Sequence, residues 1–437
     1  MASVPEIADA MKTVLSTKAE EMGRPSGFVQ RASKLTAAVF VQILVLGWLK
    51  RPSSSLSQLS QTAGLLGVPV SEQGIDERFG PPAVKLLAMV LSAALECVLA
   101  SKPVAVALLQ RFNGVYLQDS SVVNLPDELA SEWKGCGGTH DTHTAALKLN
   151  VRMNLATGQM EGPLCTDGKA HDRRSPLQRA PLPPRALRIA DLGFFSLACL
   201  RAIAAEGAFF LSRLFRQTKV FDPAGTPLTL LAFLREAEAR VDMDVLIGAR
   251  DRLPARLLAE RVPPPVAAHR REKIREDARR RRQKVSAECL ALADWTIVVT
   301  NVPRAMLSFA EALVLLRIRW QIELLFKLWK SVGLIDEWRT QNPQRILCEI
   351  YAKLIGVLIQ NWLLLTDFWA QPDKSLTKAA QVIQDNVCLL VSAFAGLLSY
   401  ADAITQLQRG FQSGCRINSR RKKPSAYQLL LAFSEDP

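Results

Sequence analysis

The spacing of apolar positions divides the chain into helical and extended stretches. Residues 1–110 carry apolar side chains at helical intervals and no good alternating strand. Within them, residues 35–50 predict one helix, stopped by Arg51-Pro52. Ser55 and Ser71 are placed to cap two short helices, through Ala63 and through Arg78, around a turn at 64–70. That layout fits a DNA-binding helix-turn-helix and an ordinary helical hairpin equally. Glu72, Asp76 and Glu77 give the second helix poor electrostatics for a groove reader.

From Phe112 the period switches to two. Val115, Leu117 and Asp119 share one strand face, with Tyr116 and Gln118 on the other, so Asp119 is expected at a strand end before Ser120-Ser121. The clearest strand sets Leu147, Leu149, Val151, Met153 and Leu155 against Lys148, Asn150, Arg152 and Asn154, ending at Thr157-Gly158. Residues 162–185, rich in Pro, Arg and Gly, predict a loop. Leu187, Ile189 and Asp191 repeat the strand-face pattern, Gly193 breaks it, and 194–205 read as a helix leading to a strand at 208–214. Asp191 therefore falls at a strand-to-helix turn, where a carboxylate is either a helix cap or a site residue. Between 216 and 295 short strands at 219–221 and 245–247 alternate with Pro-rich turns, before a strand at 295–300. Residues 315–330 predict a single, largely buried helix, and helices at 346–367 and 376–407 follow.

Composition narrows the class. A chain of 437 residues with 49% apolar residues supports two or three domains with real cores. Lys and Arg number 55 against 41 Asp and Glu, a net charge of +14, which makes a polyanion the natural partner. Residues 270–284 alone hold nine Lys or Arg, including Arg279, Arg280, Arg281 and Arg282, against three acids. Such a run is either a solvated helix or a phosphate-backbone contact, and its one-signed excess favours the contact; residues 416–423 form a second basic patch open to the same two readings. Eight scattered cysteines with no CxxC point to reduced thiols and a cytoplasmic protein. The N-terminus lacks a signal-peptide pattern, and the apolar runs at 35–49 and 83–100 are too short or too charged to span a membrane, so no membrane partner is expected. His140-x2-His143 could be half a zinc site, but neither His171 nor Cys136 completes it at convincing spacing. No Ser sits in a nucleophile-elbow context.

One acid stands apart in residues 315–330. Glu323 shares a helical stripe with Arg319 and Lys330, with Lys327 close by, amid apolar neighbours that include Trp320 and Trp329. Alone, this reads as an Arg–Glu pair on a core helix. Together with Asp119 and Asp191 it makes a set of three carboxylates of the kind that holds two Mg²⁺ (or Mn²⁺) ions for in-line phosphoryl transfer. The basic residues beside Glu323 would hold the scissile strand, and no protein nucleophile is needed. Trp320, Trp329 and Trp295 are core residues on the bland reading, with stacking on a flipped base as the alternative.

These residues resemble the DDE transposases of bacterial insertion sequences, of the insertion-sequence-four type. Arg319, Glu323 and Lys330 match the last three positions of that family's Tyr-x2-Arg-x3-Glu-x6-Lys signature, while Leu316 stands at the Tyr position. The segments LQDSSVVNLP around Asp119, IADLGFFSL around Asp191 and VVTNVP are also similar, in the same order. The resemblance implies an α+β or α/β fold with a ribonuclease-H-like core at 111–215 and 295–370, split by a β-rich insertion at 216–294. Helical regions at 1–110, binding terminal repeats, and at 371–437 would flank it. It also implies a homodimer acting on double-stranded DNA, both element ends and target, in the bacterial cytoplasm with the nucleoid. Two other readings fit the same residues: a basic DNA-binding protein with a degenerate, inactive core, and a nuclease of the same fold that cuts without joining.

Overall fold

Apolar segments far apart in sequence are buried together, and the chain divides into two units. The computed structural model describes residues 2–136, 144–366, 368–371, 373–418 and 426–431. One unit comprises Met1–Gln110, Asp119–Ala170 and Trp320–Pro437, the other Arg111–Gln118 and His171–Arg319. The described strands, in chain order, are β1 (Val115–Leu125), β2 (Ala145–Asn154), β3 (Met160–Asp167), β4 (Leu187–Ala190), β5 (Phe209–Arg213), β6 (Val220–Phe221), β7 (Pro227–Leu228), β8 (Arg240–Ile247), β9 (Leu253–Arg261) and β10 (Trp295–Thr300). With the helices between and after them, they make a mixed α/β protein.

The first unit is built on the helix Pro343–Leu365. Asn342 caps it, its side-chain oxygen accepting from the Gln344 and Arg345 amides, and Pro343 takes the first position, where no amide hydrogen is needed. Every residue from Ile346 to Leu365 is buried, against the helices Ala37–Lys50 and Pro81–Glu96 among others. Its length and hydropathy would suffice to cross a membrane, but that apolar surface is covered by protein. At about 1.5–3 kcal/mol for each fully buried aliphatic side chain, this helix carries much of the unit's stability.

Helices Leu56–Leu65 and Glu72–Asp76 form as the capping residues predict, Ser55 within a reciprocal box with Gln58 and Ser71 accepting from the Gly74 amide. The second helix stops at Asp76 and does not reach Arg78, because Gly80-Pro81-Pro82 soon starts the next helix. Asp76 is paired with Arg345 at 3.2 Å, and the Arg345 guanidinium also covers the Phe79 ring.

β2 and β3 pair antiparallel. The expected loop at 162–185 is thus strand up to Asp167, followed by single 3₁₀ turns at Asp172–Arg174 and Pro176–Arg179. Pro163 is tolerated because β3 ends the strand order and makes no ladder on its far side. β2 is buried on both faces, which its alternating polarity does not suggest. Its polar side chains are partnered instead of solvated. Lys148 donates to the Ala170 carbonyl, Asn150 to the Leu164 carbonyl and the Thr166 hydroxyl, and Arg152 grips Glu161 with two hydrogen bonds.

In the second unit the strand order is β1-β4-β5-β10-β9-β8-β6-β7. β1, β4 and β5 are parallel, and β5 onwards pairs antiparallel. The helix Leu197–Ala205 covers this sheet through Cys199, Leu200 and Ile203, which share a core with Phe210, Ile247 and Leu257. Of the expected strands, 219–221 is found as β6 without Lys219 and 245–247 as the end of the longer β8; β7, β9 and the helix Leu230–Glu236 were not expected.

The Arg152–Glu161 pair yields a test. Arg152 is 4% exposed, so Arg152→Met leaves a carboxylate without its fork and is expected to cost about 2–4 kcal/mol. A fall of that size in the unfolding free energy from urea titration checks it; an unchanged value would show that the pair contributes nothing.

Candidate active site

β1 runs on to Leu125, so Asp119 lies inside the strand and not at its end. What ends at Gln118 is burial: residues 115–118 are buried and 119–121 only partly so. Ser120-Ser121 do not break the strand because Val122 and Val123 continue it with β-branched side chains. The Ser120 amide donates to Asp119 Oδ1 at 2.8 Å. The parallel register of β1 with β4 closes on Gln118 with Ala190, so Asp119 and Asp191 are the residues that directly follow the last registered pair.

Asp191 precedes a 3₁₀ turn, Leu192–Phe194, and its side chain makes no cap hydrogen bond there. The following helix starts later than expected, at Leu197, capped by Ser196. The Asp191 carboxylate is about half exposed and lies 3.6 Å from the Arg319 guanidinium. One buried residue of the same unit, which the sequence did not single out, stiffens these strands. Arg188 donates to Gln118 at 2.9 Å, to Gln178 at 2.6 Å and to Cys199 Sγ at 3.0 Å, tying β4 to β1 beside the two aspartates. An Arg at an alternating strand position, between Leu187 and Ile189, is the one sequence signal that marks it.

The run at 315–330 is two helices, Phe309–Ile318 and Trp320–Ser331, interrupted at Arg319. No Gly or Pro announces that break; it falls on the residue that pairs with Asp191. The second helix is less buried than expected, with Trp320 45% and Leu324 41% exposed, while Trp329 is in the core. Glu323, partly buried, lies in its first turn. Lys327 sits over the Trp320 ring at 4.4 Å. Lys330, two turns beyond Glu323 on the same face, donates to the Val122 carbonyl at 2.7 Å and approaches Asp336 at 3.5 Å. The helix that carries Glu323 is therefore fastened to the strand that carries Asp119, three residues from it.

The family model described as "Transposase DDE domain" matches residues 110–359, more than half of the chain. The chain belongs to this DDE transposase family. It is similar over 98% of its length to the "Transposase for insertion sequence element IS231F" of Bacillus thuringiensis subsp. israelensis, at 26% identity and 94% coverage of that protein. The corresponding IS231C transposase of B. thuringiensis subsp. berliner is 27% identical over 86% of this chain and 84% of its own. The IS1151 transposase of Clostridium perfringens is 23% identical over 79% and 77%. The protein is thus an insertion-sequence transposase, an enzyme acting on DNA, and a DDE domain of this kind works with divalent metal.

Asp119, Asp191 and Glu323 are hard oxygen donors, none fully buried, of the kind that suits such an ion. Among the described residues, no group of three or more His, Cys, Asp and Glu side chains gathers closely enough to hold a metal. His140 and His143 lie outside the described residues. His171 caps a 3₁₀ turn, its Nδ1 accepting from the Arg173 amide.

The basic run forms the helix Pro264–Arg280, on which Arg279 and Arg280 are exposed, as are Arg281 and Arg282 just beyond it. Trp295 is buried under the Arg261 guanidinium. Leu316, at the family's Tyr position, is buried within Phe309–Ile318.

That helix is anchored at its start. Ser308 and Glu311 cap each other, and Glu311 also pairs with Arg111 at 2.9 Å, just before β1. Burial alone would push the Glu311 carboxyl up, but the Ser308 amide, Arg111 and the Ser308 hydroxyl outweigh it and hold the group below the usual carboxylate range. A depressed carboxyl stabilises the fold above its ordinary value of about 4.3 and loses that contribution as pH falls through the lowered one. Urea midpoints of the wild type are therefore expected to drop more between about pH 5 and pH 3 than those of Glu311→Gln. Equal drops would contradict this anchoring.

Proposed function

We propose that this transposase binds the terminal inverted repeats of its element and performs two-metal cleavage and strand transfer, with Asp119, Asp191 and Glu323 as the metal ligands. The observation that carries the reading is the placement of the acids. Two follow the last registered pair of neighbouring parallel strands, and the third opens a helix tied by Lys330 to one of those strands. Acids at the ends of central parallel pairing are where α/β folds present ligands, and this supports a ribonuclease-H-like core.

The ions are Mg²⁺ or Mn²⁺, two per site, which when bound activate a water or a 3′ hydroxyl and neutralise the leaving oxygen. The chain's own part is to bind and orient. Arg319 pairs with Asp191 in the protein alone and would turn to a phosphate once metal shares that charge. Lys327 and Lys330 flank Glu323 and hold the scissile strand. Arg279, Arg280, Arg281 and Arg282 present an exposed cationic surface for DNA backbone outside the acids. In this reading the three carboxylates close on the ions together with the DNA end, the working species is a homodimer, the helical 1–110 region reads the repeats, and the enzyme works in the bacterial cytoplasm at the nucleoid.

The test uses a duplex carrying the inverted repeats that bracket the gene, with Mg²⁺. Asp119→Asn, Asp191→Asn and Glu323→Gln are each expected to lower strand cleavage by about 10³-fold or more, with affinity for the duplex kept within about threefold. EDTA removes wild-type cleavage. Wild-type cleavage in any of the three variants refutes the ligand assignment, and a wild type that binds the ends without nicking them establishes the inactive DNA-binding protein instead. Nicking without joining to a target identifies a nuclease.

A further inference from the structure

One buried charged pair has no part in the chemistry above. Glu349 and Lys353 stand one turn apart on the helix Pro343–Leu365, each 4% exposed, with Nζ and carboxylate 2.7 Å apart. Lys353 Nζ also donates to the carbonyls of Leu334 and Glu337, both at 2.8 Å, so all three ammonium hydrogens are used. Those carbonyls belong to the turn that leaves the helix Trp320–Ser331. Leu334 there has φ 45°, a conformation that side-chain-bearing residues rarely adopt, so the turn needs outside support to keep its shape. Between the two held carbonyls lies Asp336, which pairs with Lys330, and Lys330 donates to the Val122 carbonyl on the Asp119 strand.

We propose that Lys353, itself fixed by Glu349, is a positioning residue: by holding the 334–337 turn it sets Asp336 against Lys330, and so sets the Glu323 helix on β1. The proposal rests on the catalytic reading of Asp119 and Glu323. Its physical logic is one of substitution. Two apolar side chains would fill the same space without the cost of burying charge, but they would release both carbonyls.

The decisive variant is therefore the double replacement Lys353→Met with Glu349→Leu, which leaves no charge unpaired. Hydrogen exchange of the full-length protein is expected to rise about tenfold or more at residues 332–337, with the rest of the Pro343–Leu365 helix unchanged. Cleavage of the repeat-bearing duplex at saturating DNA and Mg²⁺ is expected to fall about tenfold, with the Kd for that duplex unchanged. Asp336→Asn is expected to give a similar loss, and adding it to the double variant none beyond, because the two act through one relay. Glu349→Gln, which keeps the ammonium on both carbonyls, should preserve most of the rate. Unaltered exchange at 332–337 overturns the proposal whether or not the wild type cleaves DNA, as do losses that multiply in the combined variant. A wild type that nicks no DNA while exchange rises as stated would refute the catalytic reading and leave the mechanical role of Lys353 standing. Should the double variant not fold, Lys353→Arg carries the test: a planar fork cannot reproduce three convergent bonds, so turn exchange must rise, and wild-type exchange and rate together overturn the proposal.

Discussion

A single ammonium group, that of Lys330, bears most of the weight of this structure's functional reading. It joins a helix from late in the chain to the carbonyl of Val122, some two hundred residues earlier, and thereby fixes Glu323 and Asp119 within one unit. The tie is charge-assisted, with a backbone carbonyl as acceptor that cannot rotate away, so it constrains the helix along the strand as well as toward it. At about 1.5 Å per helical residue and 3.3 Å per strand residue, Glu323 and Asp119 each lie about 10 Å along their elements from this point. An inner face of the helix is defined by burial: Leu325, Leu328 and Trp329 are packed in, while Trp320 and Leu324 are left to solvent.

Positive charge in this protein has two fates. Part of the excess lies on the surface, in the run that includes Arg279, Arg280, Arg281 and Arg282, all exposed. A smaller part is buried and fully engaged: Arg152 in a fork on Glu161, Arg188 on Gln118 and Gln178, Lys353 on Glu349 and two carbonyls. Such groups are costly to desolvate and are kept only with partners that use their hydrogens. Each of these three also joins segments distant in the chain or across strands. The same residue type therefore does opposite things according to whether its charge is shown to solvent or spent inside.

Much of the fold was legible because helix caps and strand periods act locally. Ser55 and Ser71 start helices as expected, and the two aspartates were singled out because alternation brought each to the exposed end of a buried strand face. The failures have physical causes. β3 was hidden by Pro163, which only an edge position makes acceptable. The second half of β1 was hidden by two serines that sit where the strand is no longer buried. The break at Arg319 has no local signal, since it coincides with an ion pair to Asp191 that is distant in sequence. The polar face of β2 gave the right period and the wrong environment, because alternation reports which side chains are polar and not whether partners await them. For the proposed site, the sequence suggests the acids and their basic neighbours; it says nothing of Asp336, Arg188 and Lys353, which engage backbone carbonyls and other side chains that pattern does not reveal.

The proposed function requires three carboxylates to share the same divalent ions, and iron-directed cleavage measures that without relying on turnover. With Fe²⁺ in place of Mg²⁺ on the DNA-bound protein, ascorbate and peroxide generate radicals that cut the backbone within reach of the bound ion. A shared site gives cuts clustered near residues 119, 191 and 323 together, all three suppressed by excess Mg²⁺ and all three lost in Asp191→Asn. Cuts near one of these positions alone, or cuts at 119 and 323 that persist undiminished in Asp191→Asn, would contradict it.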